Sequence, residues 1–168
     1  NCMAPDEGNM HTLLHWATDE QKEQYLKPLC EGVKMSCFAM TEPEVAGSDP
    51  TLIRTNAVKD GDDWVLNGQK GWITNAAFGD VFVTYAQTDP AAGWRGIGSF
   101  LVDGTREGFM RTPAEALAGG GVIAAGGPPG GSGGSSSDVK SRPRNGATPS
   151  TAKKLPLTPA SLICSGSP

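Results

Sequence analysis

Up to Gly32, the apolar residues of this 168-residue chain recur with the period of an α-helix. A first helix is predicted over residues 9–16, and its apolar face is formed by Met10, Leu13, Leu14 and Trp16. Thr18 and Gln21 have the spacing of a capping box, which predicts the start of a second helix. That helix is expected to kink or to end early at Pro28, because proline removes a backbone donor.

Beyond Gly32, apolar runs are short and are separated by turn residues, which is the pattern of β-strands. Strands are predicted over residues 35–40, 52–59, 64–66, 70–74, 81–88 and 97–102. The Asp60–Asp63 run predicts a tight turn, and Asn67–Gly68 is the strongest short hairpin signal. Repeated short strands with frequent turns favour an antiparallel sheet or barrel. The expected fold is therefore α+β, with short helices followed by an antiparallel β-barrel-like module.

The composition changes near Pro113. All four Trp, both Tyr and all five Phe lie before this residue, whereas Gly, Pro and Ser occupy about half of residues 114–168. Such a segment buries too little apolar surface to offset the entropy of ordering it. The sequence therefore predicts three parts: the end of a helical N-terminal domain over 1–33, a β domain over 34–113 and a disordered tail over 114–168.

Charge and cysteine content exclude several classes of function. The first 113 residues are acidic overall and the basic residues of the tail are scattered, which argues against a nucleic-acid partner. The four cysteines show no CxxC spacing and no paired pattern, which favours reduced thiols inside a cell over a secreted protein. No run of about 20 apolar residues predicts a membrane span. The first residues lack a signal-peptide pattern and an initiator Met, as expected for a piece of a longer protein.

Residues 38–49 place several ligand-binding groups at the end of a predicted strand. Thr41 offers a hydroxyl and Pro43 fixes one backbone angle. Gly47 allows close approach of a ligand, and Ser48 adds a second hydroxyl. Such a loop suits the edge of an isoalloxazine ring or a pyrophosphate. The spacing alone favours the simpler interpretation, a surface loop with ordinary turn chemistry.

A second candidate segment is Trp72-Ile73-Thr74. A Trp in a strand is usually part of a core, and Thr is common in strands. In the functional interpretation the indole lies against an aromatic ring and the Thr hydroxyl faces a ring nitrogen. Each segment alone is ambiguous. The presence of both segments in one chain, in this order, is a stronger indication of a binding site than either segment by itself.

Three blocks together resemble the acyl-CoA dehydrogenase family: residues 19–29, Phe38–Asp49 and Asn67–Asn75. The resemblance covers residues 4–113. It implies FAD as the cofactor and the oxidation of an acyl-CoA to an enoyl-CoA, with the redox chemistry supplied by the flavin. The residues that it implies for cofactor binding are Phe38, Met40, Thr41, Gly47, Ser48, Trp72, Ile73 and Thr74. Ser48 is also implied at the thioester end of the substrate.

The resemblance further implies individual roles. Thr41 donates to the pyrimidine side of the flavin, Trp72 lies against the isoalloxazine, and Thr74 bonds near the hydride-accepting nitrogen. The family's catalytic Glu lies in a C-terminal helical domain, whose place is taken here by a Gly-rich run after Ala118. No catalytic residue is therefore assigned, and little or no activity is expected of this chain. The full-length family is expected to form homo-oligomers in the cytoplasm or mitochondrion.

Other candidate sites are weaker. His11 and His15 share a helical face as in a zinc-protease helix, but the acid that such a helix needs is absent. The Gly-rich residues 119–134 lack a GKS or GKT ending, and the acidic turn at 60–63 fits solvation better than cation binding. No metal site is predicted. Two other functions stay open: an acyl-CoA oxidase relative, and a non-catalytic β domain that binds a partner protein through an open sheet edge.

Overall fold

The computed structural model describes residues 3–47, 49–106, 108–111, 121–125 and 162–165, the last two segments by their backbone alone. The described chain runs from helices into a β-sheet, in the order that the sequence predicts. The predicted disordered tail falls largely outside the described residues. Two short strands are described within that range, where the composition predicts none.

Three α-helical segments come first: α1 (Asp6–Trp16), α2 (Asp19–Gln21) and α3 (Lys27–Cys30). A π-helical stretch, Lys22–Leu26, joins α2 to α3. The capping box is confirmed, because the Thr18 hydroxyl accepts from the Gln21 amide and the Gln21 side chain accepts from the Thr18 amide. Pro28 does not end the helix at once. The expected irregularity takes the form of the π-helical stretch just before it.

The inward face of α1 differs from the predicted one. Leu13 is buried as expected, but Leu14 and Trp16 are 52% and 64% exposed. The helix begins at Asp6, whose Oδ1 accepts from the amide and the hydroxyl of Ser36 at 2.6 and 2.7 Å. Since a buried carboxylate must keep such donors, this contact decides which side of α1 faces the sheet.

Eight strands in the described part of the chain form one mixed sheet. In chain order they are β1 (Ser36–Ala39), β2 (Asn56–Asp60), β3 (Asp63–Ile73), β4 (Val81–Gln87), β5 (Ile97–Asp103), β6 (Phe109–Arg111), β7 (Gly121–Ala125) and β8 (Leu162–Ser165). Their order in the sheet is β6-β7-β3-β2-β4-β5-β8, and β1 pairs with β4. Short 3₁₀ segments, Pro50–Leu52 and Pro90–Gly96, precede β2 and β5.

The predicted antiparallel barrel is corrected by the strand pairing. Most pairs are antiparallel, but β1 and β2 both run parallel to β4. Parallel pairing is possible because the connection from β1 to β4 contains the whole β2–β3 hairpin, which gives the chain room to return. Among the described strands, the end strands β6 and β8 do not pair with each other. The module is therefore an open mixed sheet, because barrel closure requires its first and last strands to pair.

Asn67–Gly68 does not form the predicted hairpin. It lies inside β3, where this strand leaves β2 and begins to pair with β7. The hairpin between β2 and β3 is at Asp60–Asp63, as predicted, with Gly61 at φ 63°. Glycine is required at position 68 for another reason: a Cβ atom there would collide with the Thr55 side chain. The dipeptide thus reflects close packing rather than a turn.

Two apolar clusters lie on opposite faces of β4 and β5, because alternate residues of a strand point to opposite sides. One cluster joins these strands to β1, β2 and β3, and includes Cys37, Ala39, Ala57, Leu66, Ile73, Phe82, Phe100 and Val102. The other joins them to the helices, and includes Leu13, Ala17, Tyr25, Leu29, Val81, Val83 and Leu101. The first cluster thereby fixes the end of β3 beside β1, and the second fixes the helices on β4 and β5. In the described part of the chain, no helix is long and apolar enough to cross a membrane.

Candidate functional site

A hollow of about 350 Å³ lies where the start of α1 meets the ends of β1 and β3. It is lined by Ala4, Pro5, Gly8, Phe38, Thr41, Trp72 and Thr74. This volume is at the lower end of the usual range for small-molecule sites. The two segments singled out from the sequence therefore converge on one site. The sequence did not reveal the contribution of α1 and the residues just before it, since Ala4, Pro5 and Gly8 carry no chemical signal.

Two aromatic side chains border the hollow. Phe38 is 40% exposed and its ring lies 5.0 Å from that of Tyr85, centroid to centroid. Trp72 is 61% exposed and has φ 57°, a left-handed conformation that is unusual for a bulky residue. The β3–β7 register shifts between Lys70 and Ile73, and this irregularity turns Trp72 outward although its neighbours are buried. An exposed Trp in a strained conformation is typical of a functional position.

The two threonines present different groups to the hollow. The Gly71 amide donates to the Thr41 carbonyl at 2.9 Å, and the Thr41 hydroxyl donates to the Gly71 carbonyl at 2.5 Å. Because its proton is used there, this hydroxyl offers only lone pairs to a ligand, in contrast to the donor role that the resemblance implies. The Thr74 hydroxyl borders the hollow, has no hydrogen-bond partner among the described residues and is able to donate. The site therefore combines an acceptor with a donor.

Three other predicted cofactor residues, Met40, Gly47 and Ile73, do not line the hollow. Ile73 is 2% exposed and its side chain belongs to the core, while Met40 is half-buried and Gly47 is exposed. Gly47 lies beside Thr41, whose methyl group would be 3.4 Å from a Cβ at this position. Ser48, implied for both flavin and substrate, lies outside the described residues. Their roles stay predictions.

Glu42 and Lys70 form a buried ion pair. Glu42 directly follows Thr41 in the sequence and Lys70 lies two residues before Trp72, so each partner is close in sequence to a residue that lines the hollow. Its two side chains are 5% and 2% exposed, and Lys70 Nζ donates to Glu42 Oε1 at 2.8 Å. Glu42 also accepts from the Arg54 amide at 2.8 Å and from the amide and hydroxyl of Thr55 at 2.9 and 2.6 Å. Lys70 Nζ donates further to the Met40 carbonyl at 3.0 Å.

Burial alone would raise the pKa of Glu42, but its hydrogen bonds outweigh that effect. The Lys70 and Thr55 side chains and the Arg54 and Thr55 amides lower the pKa below its ordinary value of 4.5. Burial lowers the pKa of Lys70, and the hydrogen bond to Glu42 opposes this shift. Glu42 is thus held as an anion by its donors, which suits a structural role in the loop. Sequence reasoning did not identify Lys70 as the partner of Glu42. The signal that could have found it is a Lys at an inward-facing position of a strand.

The described residues contain no group of three or more His, Cys, Asp or Glu that could hold a metal ion. His11 and His15 have nearly parallel rings with centroids 6.5 Å apart, and neither His lines the hollow. Nucleophilic chemistry by Cys37 is also disfavoured. Burial, with a contribution from Asp6, raises the pKa of its thiol to about 12.

Cys37 is expected to resist alkylation in the folded protein, whereas the exposed Cys30 is expected to react. Only the thiolate is nucleophilic, and the raised pKa of Cys37 leaves very little thiolate at pH 8. Brief iodoacetamide labelling followed by peptide mass spectrometry checks this, with labelling in urea as the control. Equal labelling of both residues without urea would contradict it.

Comparison with known proteins identifies the region that carries the hollow. The family model "Acyl-CoA dehydrogenase, middle domain" matches residues 37–125, slightly more than half of the chain. This chain belongs to the acyl-CoA dehydrogenase family. The matched range contains Phe38, Thr41, Trp72 and Thr74, so the β side of the hollow is part of the family's middle domain. This family consists of FAD-dependent flavoprotein oxidoreductases.

Curated acyl-CoA dehydrogenase relatives are similar over the same part of the chain. The 3-(aryl)acrylate reductase of Clostridium sporogenes is 48% identical over 91 residues, which are 54% of this chain and 24% of that protein. The short-chain-specific acyl-CoA dehydrogenase of Clostridium acetobutylicum is 44% identical over 102 residues, which are 61% of this chain and 27% of that protein. This chain thus spans about a quarter of the length of these relatives.

Solved acyl-CoA dehydrogenase structures show the same architecture. The glutaryl-CoA dehydrogenase of Mycobacterium smegmatis in complex with FADH2 has a TM-score of 0.67 and 27% identity, covering 94% of this chain and 34% of that one. The acyl-CoA dehydrogenase of Geobacillus kaustophilus has a TM-score of 0.68 and 27% identity, covering 91% of this chain and 35% of that one.

Proposed function

We propose that the hollow binds the isoalloxazine ring of FAD, and that this chain is part of an enzyme that oxidises an acyl-CoA to an enoyl-CoA. The observation that carries the proposal is the convergence of Phe38, Thr41, Trp72 and Thr74, from distant parts of the sequence, on one hollow. Membership of a family of FAD-dependent acyl-CoA dehydrogenases supports the choice of cofactor.

The chemistry of the lining fits a flavin ring. Phe38 and Trp72 offer apolar surface to a planar aromatic group and keep water from it. Thr41 accepts from a ring N–H, and Thr74 donates to a ring nitrogen or carbonyl. Bound FAD supplies the acceptor for the substrate's hydride. Two small residues, Ala4 just before α1 and Gly8 within it, leave space on the helical side of the hollow.

The substrate that we propose is an acyl thioester. The names of similar proteins cover short-chain acyl-CoA, glutaryl-CoA and cyclohex-1-ene-1-carbonyl-CoA dehydrogenases. The homo-oligomer and the intracellular location expected from the sequence stay predictions, as do the domain boundaries. An acyl-CoA oxidase relative would share the same flavin site.

The purified chain is expected to bind FAD, and loss of either hydroxyl is expected to weaken binding. Thr41→Val and Thr74→Val each remove one polar contact with the ring, which corresponds to an increase in Kd of about 3- to 10-fold. Thr41→Val also removes the bond to the Gly71 carbonyl, so its effect is expected to be the larger of the two. Quenching of FAD fluorescence during titration measures this. Thr105→Val is the control, because that hydroxyl bonds to Asp103 in an exposed turn away from the hollow. Failure of the unmodified chain to bind FAD would overturn the proposal, and so would an FAD affinity of Thr41→Val and Thr74→Val equal to that of the unmodified chain.

We expect no acyl-CoA-dependent dye reduction by this 168-residue chain. Oxidation of an acyl-CoA needs a base within hydrogen-bond reach of the α carbon, and no described residue that lines the hollow carries one. A dye-reduction assay with FAD and acyl-CoAs of several lengths checks this, with a full-length relative as the positive control. Turnover comparable with that control would contradict the expectation.

The alternative from the sequence, a β domain that binds a partner protein, is favoured by the open sheet. Among the described strands, β6 and β8 each pair on one side only. Unpaired strand edges recruit other strands. A colourless protein that forms concentration-dependent oligomers would support this alternative, whereas a yellow protein supports the flavin proposal.

A further inference from the structure

The two sides of the hollow come from strands that are not neighbours in the sheet. Phe38 and Thr41 belong to β1 and the residues after it, whereas Trp72 and Thr74 belong to the end of β3 and the residue after it. β1 pairs with β4, and β3 pairs with β2 and β7. Among the described strands no ladder joins β1 to β3. Other contacts must therefore set the distance across the hollow.

Lys70 provides such contacts. Its Nζ donates to the Met40 carbonyl at 3.0 Å and to Glu42 Oε1 at 2.8 Å, so that one ammonium group binds the residues on both sides of Thr41. We call these two contacts the Lys70 clamp. The next residue, Gly71, exchanges two hydrogen bonds with Thr41 itself. Residues 70–71 thus bind residues 40–42 through four hydrogen bonds, immediately before Trp72.

The Lys70 clamp has a rigid base. Glu42 is bound by the backbone amides of Arg54 and Thr55, which fix its carboxylate to the segment before β2. Both charged side chains are almost completely buried, so neither can exchange its partner for water without a large cost. Gly71 is also confined, because a Cβ there would lie 3.0 Å from Pro43 Cγ.

An ion pair is not required here for stability alone. Well-packed apolar residues often stabilise a core as much as a buried ion pair does. A fixed ammonium group differs from them in that it imposes directional contacts, here on the backbone at Met40 and on the side chain at Glu42. The charged pair therefore specifies where Thr41 lies relative to Trp72.

We propose that Lys70 is a positioning residue of the FAD site, which acts through the Lys70 clamp by fixing the loop that carries Thr41 against the strand that carries Trp72. The inference rests on the proposed function. It concerns a residue that does not line the hollow, and it assigns the ion pair a task in binding beyond its contribution to folding.

The test compares Lys70→Met, the double variant Glu42→Gln/Lys70→Met and Glu44→Gln. The double variant removes both charges, so it is expected to melt at a higher temperature than Lys70→Met, which leaves an unpaired buried carboxylate. Glu44→Gln is the matched control, because Glu44 forms an exposed ion pair with Arg54 in the same loop. Each variant is titrated with FAD, its melting temperature is measured, and amide hydrogen exchange is followed at Gly71.

We expect the double variant to bind FAD about ten- to a hundredfold more weakly, because displacing Thr41 relative to Trp72 weakens two contacts with the ring, each equivalent to about a 3- to 10-fold change in Kd. The Gly71 amide is expected to exchange faster relative to the amides of β5, while Glu44→Gln matches the wild type in both measurements. A purely structural role would speed exchange equally in Gly71 and β5.

The outcomes separate this inference from the proposed function. Wild-type protein that fails to bind FAD would overturn the proposed function and the positioning role with it. Wild-type binding together with equal affinity in a folded double variant would overturn the positioning role alone. The positioning role would also be overturned if FAD affinity fell only as much as the folded fraction of the variant, with equal increases in amide exchange at Gly71 and in β5.

Discussion

Replacing Lys70 with methionine is expected to lower the free energy of unfolding by about 3–5 kcal/mol. The Glu42 side chain is only 5% exposed, and the replacement removes the cation that lies 2.8 Å from its carboxylate. The remaining donors, the Arg54 amide and Thr55, do not neutralise the charge. A loss of this size is a large fraction of the stability of an ordinary domain, about 5–15 kcal/mol. Urea denaturation at pH 7 measures it.

The exposed pair of the same loop is the control for this effect. Glu44 and Arg54 lie 3.2 Å apart, but their side chains are 80% and 69% exposed. Surface pairs of this kind contribute about 0–1 kcal/mol, so Glu44→Gln is expected to change the free energy of unfolding very little. A loss below about 1 kcal/mol for Lys70→Met would show that the carboxylate finds water or other donors.

Acid titration provides a second measurement on the same pair. The pKa of Glu42 is lower in the folded protein than its ordinary value of 4.5, so the unfolded chain binds more protons at acid pH. Its contribution to stability is therefore complete above pH 4.5 and is lost as the pH falls towards the folded pKa. In Glu42→Gln this part of the acid dependence is expected to be absent. An identical acid profile in both proteins would show that other carboxyls dominate.

The parts of the fold that local rules determine could be predicted from sequence. The capping box at Thr18 and Gln21 depends on contacts within a single helical turn, and it forms as expected. The change from helices to strands follows the apolar periodicity. The hairpin at Asp60–Asp63 also depends on local turn chemistry. Each of these features is decided by residues that are close in the sequence.

The features that the sequence did not reveal depend on distant partners. Asn67–Gly68 has turn composition, but Thr55 packs against position 68 and β3 continues through it. The inward face of α1 is decided by Asp6 and its contact with Ser36, 30 residues away. Open-sheet topology likewise depends on pairing between strands separated by the β2–β3 hairpin.

The candidate site shows the same division. Its hydroxyls and aromatic rings could be singled out because they occur in two recognisable segments. The buried partner of Glu42 could not, because Lys in a strand is usually solvent-exposed and only the register of β3 places Lys70 inward. The direction of the Thr41 hydroxyl also depends on a contact across two segments, its bond to the Gly71 carbonyl.

Replacing Trp72 with glycine is expected to weaken FAD binding at least about tenfold while leaving stability unchanged or raised by up to about 1 kcal/mol. The indole is 61% exposed, so its removal leaves no core cavity. Its φ of 57° is strained for Trp and accessible to glycine, so the substitution relieves strain and offsets the backbone entropy that glycine adds. FAD fluorescence titration and urea denaturation measure the two effects separately.

Trp94→Ala is the matched control, because Trp94 is 63% exposed, lies in the Pro90–Gly96 segment and does not line the hollow. Its loss is expected to leave FAD affinity unchanged. If Trp72→Gly instead lost more than about 2 kcal/mol of stability and kept its affinity, the strained conformation would serve packing rather than binding. Opposite effects on stability and affinity are the result expected of a side chain that is retained, at a cost in backbone strain, for contact with a ligand.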